Sequence, residues 1–397
     1  MHQPMKKVFS TLLSLLLFSS SLLAQTERVQ IPMTSDHWIF DTGAVTFDDR
    51  GDMPVMNVTD GQGFVIAKDL MFEDGTIEFD VKLSAEVTFT SFFFRFKNEN
   101  EGEWFYTRNY RMGDPTGYDA IQYTPQVKGV TLWDLHPHYQ APADLQPNAW
   151  NRVKLVVSGK RMRVYVNDMD TPALNVDRLE GDVNKGRLAF QGIAQFSNFV
   201  VHHNAVEGLP KTAGPDPSGY DPRYLRSWTM SEPISLPPGN ELIGANDAIT
   251  AADTLSGSRG LLFSPHWPDE VETWHLIQAE QYGLINMTRR YGESEARRAV
   301  WLKVNLDVST PQVRELDLGF SDEIWVLLNG QLLYVDKNIY ANPGQKGPYG
   351  RISVENASVK LPLRAGDNQL AIGVANSFFG WGLIARLDSI DGISVIP

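Results

Sequence analysis

The sequence predicts an all-β protein built as two antiparallel β-sandwiches of jelly-roll type in tandem. Three observations carry that expectation. Strand-length segments alternate apolar and polar residues with a period of two. Turn residues separate those segments at short, regular intervals. No stretch of a dozen residues sustains a helical apolar stripe, and the best candidate, around Gly292 to Ala299, is short and mostly charged.

The chain opens with Lys6 and Lys7, an apolar run from Val8 to Leu23 interrupted by serines and a threonine, and Ala24 before Gln25. A charged start, a short apolar run and a small residue at the cut read as a signal peptide over residues 1–24, with a retained anchor as the alternative. The run is short and serine-broken beside the ~20 apolar residues a membrane span needs. A periplasmic or secreted protein without membrane insertion is expected. The 397 residues include no cysteine, so a lipid-bearing cysteine and disulfides are both excluded, and each domain must rest on its core. The formal charge is −13 and becomes −15 once Lys6 and Lys7 leave with the leader. A net negative field disfavours nucleic acid as a partner, although a local arginine cluster can still hold a carboxylate or sulfate group.

Past the leader, residues 30–205 read as the first sandwich. TIEFDVKL places Ile77, Phe79, Val81 and Leu83 on one face and Thr76, Glu78, Asp80 and Lys82 on the other. In FFFRFK, strict alternation makes Phe92, Phe94 and Phe96 a core row, with Phe93, Arg95 and Lys97 opposite. In WFYTRNYR, Trp104, Tyr106, Arg108 and Tyr110 share one face. Val153, Leu155 and Val157 face Met162, Val164 and Val166 across a turn at Ser158–Gly159. Residues 206–222, with four prolines and three glycines from Glu207 to Pro222, read as a linker or a wrapped connection. Residues 223–397 read as the second sandwich. Val300, Leu302, Val304, Leu306 and Val308 form one strand face, Asn329–Gly330 suits a type I′ hairpin, and two further strands flank Ala365–Asn368.

The first domain resembles the concanavalin A-like, laminin-G-like sandwiches of secreted bacterial proteins. GTIEFDV, FFFRF, DAIQYTPQVKG, NAWNRVKLVVSGKRMRVYVN and GRLAFQ carry the likeness. The layout is similar to the 3-keto-disaccharide hydrolase branch, which cleaves sugars oxidised at the third carbon. That branch carries a Tyr-Glu-x-Gln element, and the matching stretch here, Asp119-Ala120-Ile121-Gln122, keeps its glutamine alone. The second domain resembles the galactose-binding-like jelly rolls appended to glycoside hydrolases, through SDEIWVLLNGQLLYV, LPLRAGDNQLAIGV and FFGWGLIARLDSI. In such domains the Ser321-Asp322-Glu323 and Asn329–Gly330 elements are turn signals.

The candidate site is an aromatic and arginine-rich patch on the first sandwich: Arg95, Trp104, Tyr106, Arg108, Arg111, Gln122 and Trp133. Aromatic faces stack on pyranose rings, and arginine and glutamine donors satisfy hydroxyls, so the expected partner is carbohydrate. The competing reading packs the rings under a loop and pairs the arginines with Glu101 and Glu103. Glycosidic cleavage usually needs two carboxyls ~5–9.5 Å apart. Asp119 is the first candidate catalyst, with Glu101, Glu103 and Asp134 near it in sequence, and no E-x-D-x-x-E pattern selects a pair. Asp119 and Gln122 fall on opposite faces of a regular strand, so they can meet one ligand only through a bulge or if Asp119 ends the strand. His136 and His138 have no third ligand indicated, and His202 and His203 point to opposite faces. Calcium is common in lectin-like sandwiches, but no D-x-[DN]-x-[DN]-G loop occurs and no cofactor is expected. Phe263-Ser264-Pro265-His266-Trp267, before the second set of strands, reads as a plug at the domain junction. The leading functional expectation is an exported glycan-binding protein. The rivals are a hydrolase or lyase acting at the same face, and a non-catalytic interaction module.

Overall fold

Alternation builds two pairs of sheets. The computed structural model describes residues 27–49, 53–235, 273–294, 296–341, 345–376 and 378–396. The expected leader and the Phe263–Trp267 segment lie outside the described residues. Among those described, the only α-helical segment is Thr288–Tyr291, and the remaining helix is three-residue 3₁₀ turns. The all-β expectation therefore holds.

Residues 27–203 supply two eight-stranded antiparallel sheets. The first runs Leu174–Val176, Arg161–Val166, Trp150–Ser158, Gly75–Leu83, Ala194–His203, Val55–Val58 and Val45–Asp48, with Glu27–Gln30 also on Ala194–His203. The second runs Val130–Thr131, Ile121–Val127, Glu101–Arg108, Phe89–Asn98, Arg187–Gln191, Val65–Ala67 and Trp38–Ile39, with Gln140–Ala141 also on Ile121–Val127. Their inner faces close on one apolar core. Phe79 of the first sheet lies 5.1 Å from both Phe92 and Phe190 of the second, ring centre to ring centre.

The expected row of Phe92, Phe94 and Phe96 is corrected at its last member. Arg95 adopts φ +49°, and the pairing with Glu101–Arg108 slips between Phe94 and Asn98. A residue in left-handed geometry at a bulge inverts the alternation that follows it. Phe96 therefore joins Phe93, Ala189, Phe64 and Trp104 on the outer face, while Phe92 and Phe94 stay in the core.

The second half supplies an eight-stranded sheet and a four-stranded one. The larger runs Trp274–Gln278, Ser227–Ser231, Arg298–Val308, Gly366–Asn376, Glu323–Leu328 and Gln331–Lys337, with Ile234–Ser235 and Ile393–Ile396 also on Arg298–Val308. The smaller runs Ile285–Asn286, Gly382–Leu387, Gln312–Ser321 and Ala357–Leu363. Asn329 at φ +52° and Gly330 at φ +78° make the hairpin turn that the dipeptide predicts. Between the halves, the proline-rich segment lies along the first sandwich: Leu209 packs with Val156 and Tyr165, and Lys211 pairs with Asp74 at 2.8 Å.

The two pairs of sheets meet in an apolar seam. Val127, Val130, Leu132 and Leu135 pack with Leu284, Ile352 and Ile384 from the second half. Gly380 has to be glycine at this approach, because a Cβ there would lie 2.4 Å from Leu135 Cγ. Truncating a buried leucine removes transfer energy and leaves a cavity, together worth about 2–5 kcal/mol. Leu135→Ala should therefore lower stability by about that amount and separate the unfolding of the two halves in calorimetry. One undivided transition at the wild-type temperature would show that Leu135 does not hold the halves together.

Candidate functional site

Glu101–Arg108 alternates, so Phe105 enters the core while Trp104, Tyr106 and Arg108 face outward. Tyr110 leaves the strand in the 3₁₀ turn Asn109–Arg111. Those outward side chains form one wall of a cavity of about 210 Å³, with Thr88, Phe89, Tyr110, Thr131 and Trp133 beside them. The opposite wall comes from the second half: Tyr340, Arg351, Phe378 and Phe379. Eight of these twelve side chains are aromatic, and the charged ones are two arginines with no carboxylate among them. Phe89, Tyr110, Tyr340, Phe378 and Phe379 are all exposed, which is uncommon for a cluster of large rings.

Behind the cavity lies a buried polar network. Arg108, 3 % exposed, donates through Nη1 to the Asp119 carbonyl at 2.6 Å and through Nη2 to Gln122 Oε1 at 2.6 Å and the Tyr106 hydroxyl at 3.0 Å. The Tyr106 hydroxyl donates to Gln122 Oε1 at 2.9 Å, and Gln122 Nε2 donates to the Trp133 carbonyl at 2.8 Å. Burial pushes the Tyr106 phenol up to about 12, with Arg108 pulling the other way, so it stays protonated as the donor this network needs. Gln122 is fully buried and both ends of its amide are engaged, so it positions Arg108, Tyr106 and Trp133 and has no exposed surface to offer a ligand. Replacing it by leucine strands buried donors, which costs about 1–3 kcal/mol. Gln122→Leu should lose that much stability in denaturant titration, and an unchanged midpoint would contradict the network as described.

Asp119 sits just before the strand Ile121–Val127, the strand-end placement that lets it meet the same arginine as Gln122. Its carboxylate accepts from Arg111 Nε at 2.7 Å and from the Tyr110 hydroxyl at 3.3 Å, with Arg108 Nε at 3.8 Å and Arg351 Nη2 at 3.9 Å. One buried carboxylate is thus shared by three guanidiniums. Arg111 stands behind the lining with Asp119, and Gln122 lies beneath it. Arg95 is elsewhere: it is buried and donates to the Glu73 carbonyl and to Asp74 Oδ1, both at 2.9 Å. The bulge at Arg95 turns this side chain away from the outer face. Of the seven side chains expected to bind, the cavity brings together Trp104, Tyr106, Arg108 and Trp133.

The other carboxyls have separate tasks. Glu101 pairs with Lys97 at the surface. Asp134 is buried in the seam, where it accepts from Gly380 N–H at 3.2 Å and Ser321 Oγ at 3.3 Å, and burial pushes it up to about 7. Glu103 is buried on the core side, where it accepts from the Tyr123 hydroxyl at 2.7 Å, and burial pushes it up to about 7 against that hydrogen bond and Arg95. From an ordinary value of 4.5, the folded state keeps a proton on Glu103 that the unfolded chain has released between pH 4.5 and about 7. Its contribution to stability is therefore lost as pH rises through that window and is level above it. Glu103→Gln should flatten that fall, gaining on the wild type between melts at pH 5 and pH 8. An unchanged pH slope would count against a protonated Glu103.

No group of three or more His, Asp or Glu side chains among the described residues is placed to hold a metal ion. His136 and His138 lie edge to face at 5.8 Å, and burial holds the His136 imidazole well below its usual value. The second-half wall was not anticipated from sequence. The signal available was the run Phe378-Phe379-Gly380-Trp381, large rings in a loop just before a strand, where function concentrates.

Residues 30–201 match the family model described as a 3-keto-alpha-glucoside-1,2-lyase-like domain. None of the curated proteins matches the chain. Among solved structures, similarity extends to carbohydrate-binding module CBM66 from Bacillus subtilis, at 15% identity over 42% of this chain and 92% of that one, with a TM-score of 0.30. It extends also to a β-glucanase from Bacillus licheniformis, at 11% identity over 45% and 98%, TM-score 0.32. A third is domain 4 of an extracellular arabinanase from Geobacillus stearothermophilus in complex with arabinotriose, at 13% identity over 45% and 82%, TM-score 0.26.

Proposed function

We propose that this chain is an exported carbohydrate-binding protein whose site is the aromatic cavity at the seam between a laminin-G-like sandwich, residues 30–205, and a galactose-binding-like jelly roll, residues 223–397. The observation that carries the reading is the combination of exposed rings with a buried, fully hydrogen-bonded polar base. Phe89, Tyr110, Trp133, Tyr340 and Phe378 offer stacking faces, and the base holds the Tyr106 side chain and the Trp133 backbone in place before a ligand arrives. The volume of about 210 Å³ lies below the ~300–1,000 Å³ typical of drug-sized ligands, which suits one sugar ring at the end or branch of a glycan. Export rests on the leader-like start of the sequence. No helix among the described residues is long and apolar enough to cross a membrane.

Cleavage is the second reading, favoured by the family match over residues 30–201. An elimination or hydrolysis needs a group that accepts a proton. The cavity lining holds arginines and tyrosines, and burial raises both the Tyr106 and the Tyr110 phenols, which weakens them as bases at neutral pH. That chemistry supports binding over turnover. A glycan array should give hits that Trp133→Ala weakens by about 10-fold or more, as expected of a central aromatic anchor. Release of reducing sugar or keto-sugar from those hits by the wild type would favour the enzyme, and an array without hits would end the carbohydrate reading.

A further inference from the structure

Resting on that reading, we infer that the sugar carries an anionic substituent, a carboxylate or a sulfate, and that Arg351 from the second sandwich receives it. Arg351 is 3 % exposed and lines the cavity. Its guanidinium carbon lies 5.2 Å over the Trp133 ring, and its nearest carboxylate contact is Asp119 Oδ2 at 3.9 Å. Its Nε has no hydrogen-bond partner. A buried guanidinium normally spends its donors on acceptors, and leaving one idle costs free energy.

The neighbouring groups do not satisfy it. Asp119 gives its closest contact, 2.7 Å, to Arg111, which also meets Asp114 at 3.3 Å. Arg108 already spends both terminal nitrogens on the Asp119 carbonyl, Gln122 and Tyr106, so its charge reaches the cavity while those donors do not. Asp134 is turned to Gly380 and Ser321. The cavity wall therefore presents two positive charges, no negative one, and one arginine with capacity to spare. A guanidinium fork matches the paired oxygens of a carboxylate or sulfate, and the charge-assisted hydrogen bonds are the strong kind. A neutral hydroxyl fits the same donors but gains nothing from the charge. The chain's net charge of −13 makes this patch a local exception and would repel acidic glycans elsewhere on the surface.

The test is a glycan array carrying neutral, uronic-acid and sulfated oligosaccharides of matched backbone, followed by titration calorimetry of the full chain with the matched hits. The anionic member should bind at least ~10-fold tighter than its neutral counterpart, with the preference shrinking as salt is raised. Uronate against sulfate hits separate the two sources of negative charge. Arg351→Gln should abolish the preference by lowering affinity for the anionic member at least ~10-fold more than for the neutral one, and Arg351→Lys, which keeps the charge and guards against misfolding of the first variant, should retain part of it. Neutral and anionic members binding alike, or Arg351→Gln weakening both equally, overturns the inference and leaves the carbohydrate reading standing. No binding of any member overturns both.

Discussion

The cavity depends on Asp134. This buried aspartate ties the halves together at three points: its carboxyl accepts from Ser321 and Gly380, and its carbonyl accepts from Ile352 N–H at 2.9 Å. Asp134 and two of those partners, Gly380 and Ile352, lie next to or two residues from residues of the cavity. Trp133 precedes Asp134, Phe378 and Phe379 precede Gly380, and Arg351 precedes Ile352. A one-residue offset from a clamp point fixes backbone position but leaves the side chain free to face the opening. The apolar cluster around Leu135 and Ile352 helps to bury the clamp, and that burial is why the Asp134 carboxyl is pushed up. Polar satisfaction and apolar packing thus hold the same interface.

The Asp119 cluster is a second constraint, and it is electrostatic. Burying three guanidiniums around one carboxylate would be costly if charge were the sole concern. The arrangement persists because neutral acceptors share the load. Arg108 is held by a carbonyl, an amide oxygen and a phenol, and Arg111 remains partly open to water. Asp119 is accordingly the anchor of an arginine set.

Much of the fold could be read from alternation because alternation is a local property. The rows from Ile77 to Leu83 and from Val300 to Val308 are buried as their pattern predicts. Alternation fails where the backbone leaves regular geometry. Arg95 at positive φ sends Phe96 outward and itself inward, and neither side chain announces this, since an arginine in left-handed conformation is unusual. Trp104, Tyr106, Arg108 and Trp133 were legible as a patch because polar-tipped rings are too many for a core. Tyr340, Arg351, Phe378 and Phe379 were not, because their partnership with that patch is tertiary and spans more than two hundred residues of chain.

A cavity walled by two separate cores has a mechanical consequence. Any molecule that touches both Trp104 and Arg351 is also a strut across the seam, so occupancy and cohesion between the sandwiches become linked quantities. Tension that pries the halves apart would loosen the ligand, and a ligand in place would resist that tension. For a protein attached to a glycan at one point, grip would then depend on load. The Asp134 clamp, which joins the same two halves, would share that load.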